Sequence, residues 1–66
     1  MNGTIKSHFP DKQFGFIKGD NGKKYFFHSS ACPELFYDLE PGMNVVFIDT
    51  MGKKGLRAEL VGLIEE

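Results

Sequence analysis

The segment Lys12-Gln13-Phe14-Gly15-Phe16-Ile17-Lys18, answered after an Asn21-Gly22 turn by Tyr25-Phe26-Phe27-His28, decides the fold of this chain. Read as two strands whose side chains alternate between faces, it places Phe14, Phe16 and Lys18 on one side, where Phe26 and His28 join them. Gly15, Ile17, Tyr25 and Phe27 then point the other way. One apolar face is enough to build a core, so rings on both faces exceed what folding requires. Rings beside lysines on a solvent face supply what is needed to stack unpaired bases while holding their phosphates. The pattern therefore predicts binding of single-stranded nucleic acid, RNA or DNA.

Working outward, residues 3–9 read as a first strand with Ile5 inward, and Pro10-Asp11-Lys12 as a turn. Residues 14–18 and 25–28 form the second and third strands, joined through Gly19-Asp20-Asn21-Gly22, where Asn-Gly tolerates the positive φ of a tight hairpin. The pattern breaks up over residues 29–41, with one turn of helix expected within residues 30–36. Residues 44–49 are a nearly continuous apolar strand, Gly52-Lys53-Lys54-Gly55 a basic loop, and residues 57–64 a fifth strand offering Leu60, Val61, Leu63 and Ile64 to a core. Five short strands without a long helix predict an all-β fold, a five-stranded antiparallel β-barrel, because closure removes exposed sheet edges. Ile5, Ile17, Phe27, Val45, Phe47, Leu60 and Val61 suffice to fill such a barrel, which leaves Phe14, Phe16 and Phe26 for an outer face.

With 66 residues the chain makes one small domain, spanning 1–66, that buries only about 60% of the surface its unfolded form exposes. A hydrophobic content of 41% with 14% aromatics excludes a disordered chain. Cys32 is the lone cysteine and has no internal disulfide partner, which fits a reducing compartment. No apolar run reaches membrane-spanning length and no signal-peptide core opens the chain, so a cytoplasmic protein without membrane contact is expected, with a monomer favoured. The net charge of −1 hides a segregation. Residues 1–24 carry Lys6, Lys12, Lys18, Lys23 and Lys24 against Asp11 and Asp20, whereas residues 25–51 carry Glu34, Asp38, Glu40 and Asp49 with no lysine or arginine. Local potential governs nucleic-acid binding more than the sum does, so a basic first half is compatible with it.

These residues resemble the cold-shock domain family, whose fold is a five-stranded barrel of the oligonucleotide-binding type (OB-fold). The resemblance runs from Gly3-Thr4-Ile5-Lys6 to Arg57-Ala58-Glu59-Leu60-Val61. Its specific parts are Lys12-x-Phe14-Gly15-Phe16-Ile17, similar to the family's first ribonucleoprotein-type motif, and Tyr25-Phe26-Phe27-His28 followed by Ser30-Ala31, similar to its second. The resemblance implies a nucleic-acid face of Lys6, Phe14, Phe16, Phe26 and His28 with Lys12 at its edge. Phe36 resembles an aromatic that extends the stacking row, and Lys54 and Arg57 match strand-contacting loop positions. It also implies an RNA-chaperone or gene-regulatory role. Where the family has Trp-Phe-Asn after the first-strand lysine, this chain has Ser7-His8-Phe9, and His8 is the candidate substitute stacking residue. Ser29 replaces a family phenylalanine and Gln13 a family glycine. Each base–ring stack is worth about 1–3 kcal/mol, so binding weaker than that of typical relatives, micromolar or looser, is expected.

Other chemistries find little support. His28 beside Ser29 and Ser30 is adjacency in sequence without an oriented third partner, so no enzyme is expected. His8, His28 and Cys32 lack zinc-ligand spacing, and Gly19-Asp20-Asn21-Gly22-Lys23-Lys24 sits in a hairpin instead of opening a helix as a phosphate loop does. No cofactor, metal or small-molecule substrate is expected. The rival reading is a degenerate barrel acting as a protein-interaction or structural module, one domain of a longer chain. It rests on the lost ring positions and the acidic middle.

Overall fold

The computed structural model describes residues 1–52 and 55–64. Strands β1 (Asn2–Phe9), β2 (Phe14–Gly19), β3 (Lys24–His28), β4 (Asn44–Gly52) and β5 (Gly55–Leu63) lie where the alternation places them. β4 runs beyond the expected residue 49 because its hairpin with β5 keeps pairing through Thr50↔Arg57, Met51↔Leu56 and Gly52↔Gly55. In place of one helical turn, the crossing from β3 to β4 holds two short 3-10 turns, Ser29–Ala31 and Phe36–Asp38.

The strands close in the order β1-β2-β3-β5-β4, with β4 returning to β1. The barrel is the expected five-stranded antiparallel one, with one exception: β3 meets β5 in parallel at Phe26↔Arg57. The reason is parity. Strand directions cannot alternate around a closed ring of five, so one neighbouring pair must run the same way.

Ile5, Ile17, Tyr25, Phe27, Val45, Phe47, Ala58 and Val61 point inward, joined by Cys32, Phe36 and Leu39 from the crossing segment. Burial pushes the Cys32 thiol above its ordinary range, so it remains protonated and packs as a small apolar group. The glycine between the two outward phenylalanines of β2 is a packing requirement. A Cβ on Gly15 would lie 2.6 Å from the Ser7 carbonyl oxygen and 2.7 Å from Cζ of Phe27. The β2–β3 turn is fixed from within: Asn21 accepts the Lys23 amide at 3.0 Å and donates at 2.9 Å to the hydroxyl of buried Tyr25.

Leu60 departs from its expected place in the core and is 72% exposed. Register shifts between Val46 and Ile48, so that Val46 faces Gly62 but Ile48 faces Glu59. The extra residue on β5 is absorbed by Leu60 at φ 49, in the left-handed region. Gln13 also adopts this region, at φ 61, in the β1–β2 turn. Left-handed backbone costs an L-residue with a Cβ about 1–2 kcal/mol, and glycine loses part of that advantage through its freer unfolded state. Gln13→Gly and Leu60→Gly are each expected to stabilise the domain by about 0.5–1 kcal/mol in urea titration. A loss of stability in both would show that neither side chain is strained.

Candidate nucleic-acid interface

The outer surface of β1, β2 and β3 gathers the rings that the core leaves out. Phe16 and Phe26 are directly opposed across β2 and β3, and Phe14 is opposed to His28. Phe14 lies 5.8 Å from Phe16 and 5.7 Å from Phe26 between ring centroids, and Phe16 lies 5.9 Å from Phe26. All three are half-buried, their edges supported by one another and part of each ring open to solvent. Such contacts hold the side chains in place before any ligand arrives, which lowers the ordering cost of binding. Phe16 and Phe26 also floor a cleft of about 830 Å³ whose walls are Met51, Leu56 and Arg57 from the β4–β5 hairpin.

β1 joins this face with an altered register. Ile5 pairs with Ile17, but Ser7 pairs with Phe16, so Lys6 is an extra residue that reverses the alternation beyond it. Ser7 and Phe9 therefore turn outward, and His8 turns toward the interior opposite Gly15. This corrects the expectation for His8. Its ring lies 4.7 Å from Phe36 in an edge-on contact, and its Nε2 is buried without a hydrogen-bond partner among the described residues. The place expected of His8 in the row belongs instead to Phe9, 38% exposed, whose ring is 5.0 Å from Phe14. A strict alternation along β1 conceals Phe9, because nothing in the composition marks the bulge.

Phe36 requires a second correction. It is fully buried, 6.0 Å from Phe27, and does not extend the stacking row. Its neighbour Tyr37 is 65% exposed, with its ring 5.3 Å from Phe36. The Phe36 amide donates to the Cys32 carbonyl (2.8 Å) and the Asp38 amide to the Leu35 carbonyl (2.8 Å), which fixes the turn with Phe36 inward. His28 is half-buried beside Phe14. Its Nδ1 accepts the Ser30 amide at 3.2 Å, which places the proton of the neutral ring on Nε2 as a donor.

Lys6, Lys12, Lys18 and Lys24 are exposed. Lys24 shares the outer face with Phe26, and its Nζ is 4.7 Å from the centroid of Phe16, a cation–π contact. Its position two residues before Phe26 is the signal that places it there. Arg57 stands beside Phe26 and lines the same cleft, with Nε 3.5 Å from Glu59 Oε1. That separation makes an ion pair, but the geometry is not that of a hydrogen bond, and Nε has no other partner among the described residues. A surface pair of this kind is worth about 0–1 kcal/mol, so it leaves Arg57 able to meet a phosphate. Lys54 lies outside the described residues.

The family model of the 'Cold-shock' DNA-binding domain matches residues 1–64. Cold shock protein CapB of Pseudomonas syringae pv. tomato is 41% identical over 65 residues, covering 97% of this chain and 94% of that protein. Cold shock-like protein CspA of Shewanella violacea is 43% identical over 61 residues, covering 89% and 87%. Cold shock protein 2 of Lactiplantibacillus plantarum is 40% identical over 58 residues, covering 86% and 88%.

Proposed function

Because the chain belongs to the 'Cold-shock' DNA-binding domain family, we propose that it binds single-stranded RNA or DNA across the outer face of β1, β2 and β3. The observation that carries this reading is the row of half-exposed phenylalanines, held in mutual contact above a core that is complete without them. Bases stack on Phe14, Phe16 and Phe26, with Phe9 and Tyr37 extending the platform and His28 offering its Nε2 proton at the edge. Lys6, Lys12 and Arg57 attract phosphates, and Lys54 belongs with them by its place in the sequence. Ring faces accept any base, so sequence preference is low. A strand held this way has its bases unstacked, so binding competes with intramolecular pairing and loosens hairpins, as an RNA chaperone or gene regulator requires.

Affinity is lower than in typical relatives. Ser7 is directly opposed to Phe16, where a ring would add a further platform, and Ser29 leaves another position empty. Phe9 offsets part of that loss. In an amide-resolved NMR titration with a thymidine heptamer, shifts centred on Phe14, Phe16, Phe26 and His28 are expected, with a micromolar or weaker dissociation constant. If about three phosphates are neutralised, log affinity falls with log salt at a slope near −2, from about −0.7 per phosphate of a single strand. No shift even at low salt would overturn the proposal.

One observation favours the second reading, a protein-interaction module. Val46, Ile48 and Leu60 expose aliphatic side chains on β4 and β5, strands whose outer surface carries none of the stacking rings. A flat titration with oligonucleotide would make that surface the place to seek a partner.

A further inference from the structure

Lys18 of β2 and Lys24 of β3 stand directly opposite each other, and Thr4 of β1 stands opposite Lys18 on its other side. The three residues make one row across the sheet and, with Ile5, Lys6 and Gly22, line a cleft of about 410 Å³. Like charges in directly opposed positions destabilise a sheet, so this pair is retained at a cost to folding. Among the described residues the ion pair is Arg57–Glu59, and no carboxylate lies within salt-bridge distance of Lys6, Lys18 or Lys24. The Thr4 hydroxyl donates to Asn44 Oδ1 at 3.3 Å, which leaves the ammonium groups as the donors of the cleft. Lys24 belongs to both places: it lines this cleft, and its Nζ lies 4.7 Å from the centroid of the partly open Phe16 ring.

We infer that this cleft is a phosphate subsite, built by the Lys18–Lys24 pair, that takes a backbone phosphate of a strand whose base rests on Phe16. The inference rests on the nucleic-acid reading above and adds a direction to it. The strand leaves the rings at Phe16, passes beside Lys24 and runs toward β1 over Lys18 and Lys6. A phosphodiester suits the site because it places a concentrated negative charge between two ammonium groups that otherwise repel. Continuity with the ring row makes the phosphate part of a strand, not a free anion.

The test compares the wild type, Lys18→Gln and Lys23→Gln in binding a thymidine heptamer across a salt series. Lys23 lies in the adjoining turn and does not line the cleft. Lys18→Gln is expected to reduce the magnitude of the salt slope by about 0.7, the loss of one phosphate contact, with a uniform weakening across base sequences. Its melting temperature is expected to equal or exceed that of the wild type, since the opposed charge is gone. Lys23→Gln is expected to keep the wild-type slope. Wild-type binding with an unchanged slope in Lys18→Gln would overturn this inference alone, and so would equal losses in both variants, which would mark general charge attraction. No wild-type binding would overturn the nucleic-acid reading and this inference with it. Sodium pyrophosphate supplies the remaining arm. If it shifts the Lys18 and Lys24 amides at micromolar concentration and the heptamer does not displace it, the cleft serves a free phosphate and the strand path is wrong.

Discussion

Phe36→Ala is expected to leave the domain largely unfolded, whereas Tyr37→Ala one residue later is expected to leave it folded and weaken its hold on a strand. Phe36 has no solvent-exposed surface and touches Phe27, His8 and the Tyr37 ring. Truncating a buried phenylalanine costs about 3–5 kcal/mol through lost transfer energy and the cavity left behind. A single core in a domain of this size supplies only about 3–5 kcal/mol of net stability, so the substitution consumes nearly all of it. Loss of near-ultraviolet dichroism and of dispersed amide resonances would report the collapse. Tyr37 is mostly exposed, and its removal is expected to change stability by about 0.5 kcal/mol or less. If Tyr37 extends the platform as proposed, its removal should cost about 1–3 kcal/mol of binding. A folded Phe36→Ala that has lost oligonucleotide binding would return Phe36 to the interface and displace Tyr37 from it.

The contrast between these neighbours shows which parts of the molecule are legible in the chain. The five strands and the Phe14–Phe16–Phe26 face follow from period-2 alternation and the Asn21-Gly22 turn, because each side chain's face is set by its parity along a strand. Whatever shifts parity by one residue is invisible to that reading. The bulge at Lys6 sends His8 inward and Phe9 outward, and the bulge on β5 expels Leu60 from the core. Phe36 falls in the crossing segment, where no period exists and backbone hydrogen bonds to the Cys32 and Leu35 carbonyls decide which aromatic faces in. By contrast, the need for a parallel pair follows from strand count once the ring is closed, and the strand order makes that pair β3 and β5. Lys24 is likewise legible, two residues before Phe26 on the same face. The long-range register that brings Thr4, Lys18 and Lys24 into one row is a property of three strands together, and no single segment contains it.

Phe16→Ala is expected to abolish measurable oligonucleotide binding while the barrel stays folded. The ring meets Phe14 and Phe26, floors the larger cleft and lies under the Lys24 ammonium, so its removal takes away a base platform and the anchor of a cation together. One stack is worth about 1–3 kcal/mol, or roughly 5- to 150-fold in affinity, and a starting constant in the micromolar range then leaves little to detect. The cost to the fold is smaller than for Phe36, because Phe16 is half-buried and its ring contacts lie outside the closed core. Loss of two aromatic pairs at about 0.5–1.5 kcal/mol each beyond area burial, and of an exposed cation–π contact at about 0.5–1 kcal/mol, lowers the melting temperature by roughly 10 °C or more at about 4–8 °C per kcal/mol, with unfolding still cooperative. Phe16→Leu separates packing from stacking. It restores most of the apolar volume without a π face, so it should recover stability and not affinity, whereas Phe16→Tyr should recover both. Unfolding of Phe16→Ala would make the ring part of the core, and full affinity in Phe16→Leu would show that the site recognises apolar volume, which is the signature of a protein partner and not of a base.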